Sequence, residues 1–555
     1  MKKYFPLFWV FYLLCAFSAH AGEGRYTIPL TGGGWSLWLD KEASWQNDRL
    51  YLPHEITDLS LLPVNVPTGG WQTLSHNPDA VPVEVPGTVE EYLTVTDNPR
   101  PENFRGVSWW YRKITIPADQ QKKRFIIYFE SVRMRAEVYL DGKLVAYDLI
   151  GETPFHVDIT DEAKPGKEQL LAIRVTNPGG NFHWQDFDIM KWGEYNIPPS
   201  RSFTGIIGRV KLESVNPVFI SDIYMQNTPE LTKVNAILSF TNETSSSVKQ
   251  DVELIVNEKG NPDKVVFRQT LKAISFPAGN HEVTIPVNVP DAKLWDLSTP
   301  ELYTCNVLIK KGKKTLDQDK KDFGFRWFTV DGVGKDAVLR LNGRRIMLRS
   351  AISWGYFPVT GLIATTEMAE KQVRTAKSLG LNMLNFHRCI GSPVVLEKAD
   401  ELGLLYYEEP GSFHSANHDP FIRTIVNEKL KRMVYRDRSH PSLVIFNLIN
   451  EFGGPLSQDK ALVAKRMNDM REAHAIDPSR IMSFTSGWAG SEDKEEDSKA
   501  HMLPFDTTLY RKGWYDNHRA GGPETWVENY YKGPKDNIMY TSNRTEVYLR
   551  GEEGA

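Results

Sequence analysis

Residues 438–451 read Arg-Ser-His-Pro-Ser-Leu-Val-Ile-Phe-Asn-Leu-Ile-Asn-Glu. The run from Leu443 to Leu448 is mostly apolar, which is typical of a strand that is buried on both faces in a parallel sheet. The stretch ends at the polar residues Asn450 and Glu451. Enzymes built on (β/α) barrels carry their reactive groups at the carboxyl ends of the barrel strands. The stretch therefore predicts a barrel strand that delivers a candidate catalytic carboxylate.

Strand and helix patterns alternate on both sides of this stretch. Helical periodicity covers residues 368–379, 393–402, 424–437 and 459–475, and strand-like apolar runs cover residues 381–386, 404–407 and 481–485. Repeated β-then-α units predict a parallel sheet, and their serial repetition favours a (β/α)8 barrel over an open sheet. We expect a catalytic (β/α)8 TIM barrel over residues 331–555.

The chain before this barrel has an all-β pattern of short runs separated by turn residues. One run, residues 136–140, ends at Asp141-Gly142, which favours a hairpin because glycine tolerates the positive φ that the turn needs. We expect an all-β jelly-roll sandwich of sugar-binding type over residues 22–217. Strand-like runs, among them residues 252–256, then predict an immunoglobulin-like β-sandwich over residues 218–330.

The length and composition of the chain limit its class. At 555 residues it exceeds the ~250–300 residues at which single hydrophobic cores stop growing, so several domains are expected. A net charge of -4 gives no basic field for a polyanion, which disfavours nucleic acid as a partner. Beyond the first residues the chain has two cysteines, Cys305 and Cys389. We expect neither a disulfide framework nor a structural zinc site.

The first residues have the pattern of a secretory signal peptide. Lys2 and Lys3 precede an apolar run over residues 4–17, and Ala19-His20-Ala21 matches a small-x-small cleavage site. The alternative is a retained membrane anchor, but the run is shorter than the ~20 residues that a spanning helix needs. We expect residues 1–21 to be removed on export, which leaves a periplasmic or extracellular protein without a membrane span.

The motif of His440-Pro441-Ser442, an apolar strand and Asn450-Glu451 resembles the acid/base motif of glycoside hydrolase family 2. This family includes β-galactosidases, β-glucuronidases and β-mannosidases. Other stretches resemble successive parts of the family's sequence, namely residues 129–132, 138–142, 153–160, 293–296, 323–326 and 341–349. The resemblance implies a retaining exo-β-glycosidase in which Glu451 is the general acid/base.

Asn450 and Glu451 suit this chemistry by residue type and position. A carboxyl group at the exit of a buried strand is partly desolvated, which favours the protonated form that a general acid needs. Asn450 can hydrogen-bond a sugar hydroxyl such as the 2-OH, whose contact strengthens in an oxocarbenium-like transition state. The pattern alone leaves an alternative open, in which Asn450 and Glu451 cap the following helix.

The family's mechanism needs a second carboxylate, about 5–5.5 Å from the first, to attack the anomeric carbon. The strand-like run over residues 546–549 is followed by Arg550-Gly551-Glu552-Glu553-Gly554. This segment resembles the family's nucleophile segment, in which a small residue precedes the glutamate and a glycine follows two positions later. The register implies Glu552 as the nucleophile. Glu553 is the alternative, and an exposed acidic tail without a catalytic role is another.

Two candidate substrate-binding residues follow the first two barrel strands. Trp354 comes after Ser353, where its ring can stack on a sugar, although aromatic residues more often belong to a core. In Asn385-Phe386-His387-Arg388, members of the family commonly show an arginine followed shortly by a histidine. Here Asn385 takes the arginine position, and His387 or Arg388 takes the histidine position. The resemblance implies that His387 contacts the substrate.

Later candidates for substrate binding are Trp488, His518 and Tyr510, the last at a position where the family often supplies a tyrosine that hydrogen-bonds the nucleophile. Glu408-Glu409 ends the third strand, and we interpret this pair as orienting the site. Some β-galactosidases of the family bind magnesium through an acidic residue shortly downstream, where this chain has Phe413. Neither a metal nor another cofactor is therefore expected.

The resemblance implies hydrolysis of a terminal β-linked sugar by a β-galactosidase-like enzyme. The alternatives are a β-glucuronidase of the same family and a carbohydrate-binding protein that has lost catalysis. The expected partner is an oligosaccharide or glycoside substrate, and an oligomer is compatible with the sequence. If Glu552 lies on the seventh barrel strand, the chain stops before an eighth, which predicts a chain truncated within the barrel.

Overall fold

A computed structural model describes residues 24–93, 104–180, 189–198, 203–331, 338–357, 361–413, 419–452, 459–486, 502–503, 514–519 and 547–553, the last three ranges by their backbone. Within these ranges, two β-sandwiches precede a parallel sheet whose strands alternate with helices. The predicted multidomain fold class is confirmed. No helix in these ranges is both long and apolar enough to cross a membrane. The predicted signal peptide, residues 1–21, lies outside the described residues.

The first sandwich pairs two antiparallel sheets around an apolar core. Its elements are β1 Tyr26–Pro29, β2 Gly32–Asp40, β3 Val81–Val85, β4 Gly87–Thr88, α1 Val89–Tyr92, β5 Gly106–Thr115, β6 Arg124–Phe129, β7 Arg135–Leu140, β8 Lys143–Asp148, β9 Phe155–Asp158, β10 Glu168–Asn177, β11 Met190–Trp192, β12 Tyr195–Ile197, β13 Gly205–Ile206 and β14 Val210–Val215. Short 3-10 helices lie at Pro53–Glu55, Leu59–Leu61, Trp71–Ser75 and Ala118–Gln120. One sheet has the strand order β1-β14-β6-β9, and the other has β3-β2-β5-β10-β7-β8. Asp141 and Gly142 form the predicted hairpin turn between β7 and β8, with φ of 49° and 85°.

The second sandwich is also antiparallel. Its strands are β15 Val218–Asn227, β16 Lys233–Asn242, β17 Val248–Glu258, β18 Val265–Phe276, β19 Gly279–Asn288, β20 Tyr303–Lys311 and β21 Lys314–Phe323. The strand orders are β15-β16-β19 and β18-β17-β20-β21. In β16 buried and half-buried residues alternate strictly, as expected for a strand with one face on a core. Cys305 is buried in this core and forms no disulfide with Cys389 of the barrel.

The remaining elements form the barrel region. They are β22 Phe328–Asp331, β23 Val338–Leu341, β24 Arg344–Arg345, β25 Ser350–Ser353, α2 Thr366–Ser378, β26 Met383–Phe386, α3 Pro393–Leu402, β27 Leu405–Glu408, α4 Pro420–Asp437, β28 Leu443–Asn450, α5 Lys460–Ile476, β29 Ile481–Ser486, β30 Met502–Leu503, β31 Trp514–Arg519 and β32 Val547–Glu553. Strands β25 to β29 are parallel neighbours in chain order, and β30 runs antiparallel beside β29. Strands β31 and β32 pair with each other in parallel. The serial β/α arrangement therefore matches the predicted barrel pattern through β29.

Buried polar contacts fix the barrel to the sandwich before it. The Arg326 guanidinium is 1% exposed and donates to the backbone carbonyls of Pro441 at 3.1 Å and Leu443 at 2.8 Å. The indole Nε1 of Trp295 donates to the carbonyl of Asp400 at 2.8 Å. Because a buried guanidinium is costly unless its donors are paired, these contacts hold the start of β28 in a defined position.

The first sandwich contains a buried carboxyl group whose titration is coupled to stability. Burial raises the pKa of Glu90 to about 7, against the combined effect of backbone donors and Arg133, which lower it. The native state therefore keeps this proton up to about pH 7, whereas the unfolded chain releases it near pH 4.5. The free energy of unfolding is expected to fall as pH rises between these values, by on the order of 3 kcal/mol.

Replacing Glu90 by Gln removes this titration. We expect the Tm of the wild type to drop more than the Tm of Glu90→Gln between pH 5 and pH 8, as measured by calorimetry. Both proteins share all other titrating groups, so the difference between the two pH dependences isolates Glu90. Parallel changes in the two Tm values would contradict the prediction.

Candidate active site

Strand β28 lies in the middle of the parallel sheet, between β27 and β29. All its residues from Leu443 to Asn450 are buried. Near the amino ends of the strands, Val444 and Ile445 belong to an apolar cluster with Leu405 and Ile481 of the neighbouring strands. Burial on both faces explains why the strand shows a continuous apolar run rather than an alternating one.

Glu451 is the first residue after β28, and its backbone has φ of 52°, in the left-handed region. Its backbone N–H donates to the carbonyl of Ser486 at 2.8 Å, and the residue is partly buried. A non-glycine residue in this region is uncommon, and such residues cluster at functional sites where the surrounding structure holds them. The turn places Glu451 at the carboxyl end of the sheet, where barrel enzymes carry their reactive groups.

The alternative that Asn450 and Glu451 cap the next helix is wrong. Helix α5 begins at Lys460, and the Asp459 side chain caps it by accepting from the N–H groups of Ala461 and Leu462. Glu451 lies well before this cap in the chain. Its backbone bond is to Ser486 of the adjacent strand instead.

Asn450 is 1% exposed and is held on two sides. Its backbone N–H donates to the carbonyl of Ser412 at 3.0 Å. Its side-chain Oδ1 accepts from the Ser486 hydroxyl at 2.7 Å. Because β28 and β29 are in register at these positions, Asn450 and Ser486 are direct neighbours across the sheet. The amide is therefore fixed before any ligand binds.

Glu409 links three strand ends. Its side chain is fully buried, and Oε2 accepts from the backbone N–H of Arg388 at 2.8 Å. Oε1 lies 3.0 Å from the Ser486 hydroxyl oxygen and 3.4 Å from Asn447 Nδ2. Arg388 has φ of 54°, so Glu409 contacts the left-handed turn after β26 and, through Ser486, the one after β28. This arrangement suits the predicted role of orienting the site.

The neighbouring Glu408 belongs to a different environment. It is also fully buried, and it accepts from the Gly391 N–H at 2.7 Å and faces Arg436 at 3.4 Å. Burial, followed by the charge of Asp437, raises the pKa of Glu408 well above its usual range, while Arg436 opposes the shift. Successive strand residues point to opposite faces, which explains why Glu408 meets helix α4 and Glu409 meets β28 and β29.

An aromatic and cationic cluster lies at the exits of β25 and β26. The rings of Trp354 and His387 meet edge to face, with centroids 4.7 Å apart. The Arg388 guanidinium lies 5.7 Å from the Trp354 ring and 3.7 Å from the Phe413 ring. Phe413 pairs through its backbone with Asn450. The predicted residues Trp354, His387 and Asn450 are therefore brought to the same end of the sheet.

Phe413, the residue that stands in place of an acidic magnesium ligand in the family resemblance, is buried beneath Arg388. Across the part of the chain whose side chains are described, no three His, Cys, Asp or Glu residues gather into a potential metal site. This end of the sheet instead carries one network of carboxylate, amide and hydroxyl groups.

The remaining predicted residues lie in or beyond the last strands. Trp488 and Tyr510 are outside the described residues. The backbone of β32 reaches Glu553, so Glu552 is part of this strand rather than of a tail after residue 549. In the parallel pair β31 and β32, His518 is the backbone partner of Glu552.

Ser486 and Asn447 also belong to this network, although neither was predicted from the sequence. Asn447 donates through Nδ2 to the carbonyl of Ile449 at 2.7 Å, and its Oδ1 accepts from the Ser483 hydroxyl at 2.7 Å. A signal was present, because Asn447, Ser483 and Ser486 are polar residues on two fully buried strands. Buried polar groups need partners, so polar residues on adjacent strands predict a shared network.

The chain has two β-sandwiches followed by a (β/α) barrel, and an Asn-Glu pair lies at the exit of a central barrel strand. These features define a multidomain barrel protein. Three family models match it in order: "Glycosyl hydrolases family 2, sugar binding domain" over residues 33–196, "Glycosyl hydrolases family 2" over residues 218–326, and "Glycosyl hydrolases family 2, TIM barrel domain" over residues 335–539. The chain belongs to glycoside hydrolase family 2.

Sequence relatives include a β-galactosidase and a β-glucuronidase. A β-galactosidase from Thermoanaerobacterium thermosulfurigenes is 30% identical over 377 residues, which cover 66% of this chain and 49% of that protein. A β-glucuronidase from Formosa agariphila is 24% identical over 360 residues, which cover 62% of this chain and 36% of that protein. The chain spans about half the length of the curated relatives it matches. It covers 56% of a putative β-glucuronidase from Formosa agariphila and 49% of the Thermoanaerobacterium thermosulfurigenes β-galactosidase.

Solved structures share the fold. The crystal structure of a family 2 β-galacturonidase from Eisenbergiella tayi, bound to galacturonate, superposes with a TM-score of 0.69 at 19% identity. The match covers 96% of this chain and 82% of that one. At this level of identity, the likeness concerns the fold alone.

Proposed function

We propose that the protein is a retaining exo-β-glycosidase that removes a terminal β-linked sugar by double displacement. The observation that carries the proposal is the position of Glu451, directly after the central strand β28, beside an Asn450 amide held by Ser486 and Ser412. A family 2 barrel with this pair at a strand exit supplies an acid and a sugar-binding amide in adjacent positions.

In the first step, the Glu451 carboxyl donates its proton to the glycosidic oxygen while the Glu552 carboxylate attacks the anomeric carbon. The bond to the leaving group breaks, and a glycosyl-enzyme ester forms. In the second step, the Glu451 carboxylate removes a proton from water, the water oxygen attacks the anomeric carbon, and Glu552 is released. Two inversions at one carbon give net retention.

The first candidate substrate is a β-galactoside, which the 30% identical β-galactosidase supports. The second is a β-glucuronide, which the Formosa agariphila β-glucuronidase supports. Arg388 adds a structural reason for this second candidate, because a guanidinium at the end of the sheet suits a sugar carboxylate. Neutral and uronic sugars differ by one negative charge, so the two candidates predict different responses to Arg388→Leu.

The test is the release of nitrophenol from a panel of nitrophenyl β-glycosides, with galactoside, glucuronide, galacturonide, glucoside and mannoside in parallel. Galactosidase function predicts the highest kcat/KM for the galactoside, and glucuronidase function predicts it for the glucuronide. A product that forms first as the α-anomer, seen by NMR, would contradict retention.

A carbohydrate-binding protein without catalysis is the second proposal, and Asn385 in place of the family's usual arginine favours it. Such a protein would bind the sugar, as measured by calorimetry, and release no nitrophenol from any substrate of the panel. We also propose export to the periplasm or beyond after removal of residues 1–21. Fractionation of cells and N-terminal sequencing of the mature protein test that proposal.

A further inference from the structure

We propose that Ser486 is a positioning residue. Its hydroxyl determines whether the Asn450 amide presents Nδ2 or Oδ1 to the substrate. The inference rests on the proposed glycosidase function. Ser486 is the last residue of β29, 4% exposed, and the direct neighbour of Asn450 across the sheet. Its hydroxyl oxygen lies 2.7 Å from Asn450 Oδ1, 3.0 Å from Glu409 Oε1 and 3.3 Å from Asn447 Nδ2.

These three contacts are not equivalent, because a serine hydroxyl has one hydrogen and two lone pairs. The orientation of the Asn447 amide is fixed by the Ile449 carbonyl, which accepts from Nδ2 and cannot donate. Asn447 Nδ2 therefore offers a hydrogen, not a lone pair, to the Ser486 oxygen. The hydroxyl hydrogen is left to point toward Glu409 or Asn450.

The Glu409 carboxylate accepts from other donors in addition to Ser486. The Arg388 backbone N–H donates to Oε2 at 2.8 Å, and Asn447 Nδ2 lies 3.4 Å from Oε1. The distance from the Ser486 oxygen to Asn450 Oδ1 is the shorter of the two, 2.7 Å against 3.0 Å. The shorter contact favours Asn450 Oδ1 as the acceptor of the hydroxyl hydrogen.

When Oδ1 accepts from Ser486, the amide nitrogen of Asn450 faces the other way. The two Nδ2 hydrogens are then the groups that Asn450 presents to a ligand, and a sugar hydroxyl oxygen is their acceptor. Without the Ser486 hydroxyl, the amide loses the donor that distinguishes its oxygen from its nitrogen. The terminal torsion of asparagine is broad, so both orientations become accessible.

The backbone of Ser486 has a separate task, which a side-chain substitution leaves in place. Its carbonyl accepts from the Glu451 N–H at 2.8 Å. Ser486→Ala removes the hydroxyl and keeps this bond, so Glu451 stays at the strand exit. The proposed effect is therefore on the contact of Asn450 with the sugar and not on proton transfer by Glu451.

The experiment compares Ser486→Ala with the wild type on two nitrophenyl β-glycosides, one with a 2-hydroxyl and one with hydrogen in its place. We expect kcat/KM to fall roughly 10- to 100-fold on the hydroxyl substrate, since this hydrogen bond strengthens in the transition state. On the 2-deoxy substrate, which lacks the acceptor, we expect a change within roughly 3-fold. Ser486→Thr keeps the hydroxyl and is expected to recover most of the loss.

Ser483→Ala is the matched control, because Ser483 is a buried serine of the same strand whose hydroxyl contacts Asn447 and not Asn450. It is expected to change kcat/KM by the same factor on both substrates. Equal losses for Ser486→Ala on both substrates would overturn the positioning role and leave the glycosidase function standing. No turnover of any substrate by the wild type would overturn both.

Discussion

Glu451→Gln is expected to lower kcat/KM for an unactivated aryl β-glycoside by roughly 10²–10⁴-fold, because glutamine cannot protonate the leaving oxygen. The substitution keeps the size of the side chain, and the Glu451 N–H still donates to the Ser486 carbonyl. The left-handed backbone at this residue is therefore expected to persist. The loss then reports proton transfer rather than a displaced strand end.

The leaving group provides the sharper measurement. A dinitrophenyl glycoside departs without protonation, so the first step is expected to lose far less with Glu451→Gln than it does for a phenyl glycoside. Glu401→Gln is the control, because Glu401 is exposed in the last turn of α3, at the opposite end of the sheet from the strand exits. Equal losses for the two leaving groups would contradict the assignment of Glu451 as the general acid.

The periodic parts of the fold could be predicted from the sequence, because burial determines their pattern. The continuous apolar run of β28 reflects a strand covered on both faces, and the spacing of apolar residues predicted α2 over residues 368–379, close to its observed Thr366–Ser378. The turn at Asp141-Gly142 was predictable for a local reason, the positive φ of its residues. These features could be predicted because each is encoded by residues that lie close together in the sequence.

Contacts between distant residues could not be predicted in this way. Arg326 pairs with carbonyls more than 100 residues away, and the partners of its guanidinium depend on how the barrel meets the sandwich. The opposite environments of Glu408 and Glu409 follow from the strand's register in the sheet, which the local sequence leaves open. The proposed role of Ser486 depends on the alignment of β29 with β28, which places it beside Asn450. This alignment cannot be derived from the local sequence.

Glu552→Ala is expected to lower kcat for every substrate by at least roughly 10⁴-fold, since no covalent intermediate forms without the nucleophile. Glu553→Ala is the matched control, one position along the same strand β32. Consecutive strand positions alternate between two faces, so the two variants are expected to differ widely. A large loss with Glu553→Ala and a small one with Glu552→Ala would move the nucleophile by one residue.

The stereochemistry of azide rescue separates the two carboxylates. With Glu552→Ala, azide is expected to attack the β-glycoside directly, and a single inversion gives the α-glycosyl azide. With Glu451→Gln, Glu552 still forms the glycosyl-enzyme and azide then displaces it, so two inversions give the β-glycosyl azide. NMR of the products distinguishes the anomers. A β-azide from Glu552→Ala would contradict the assignment, because retention requires a nucleophile that this variant lacks.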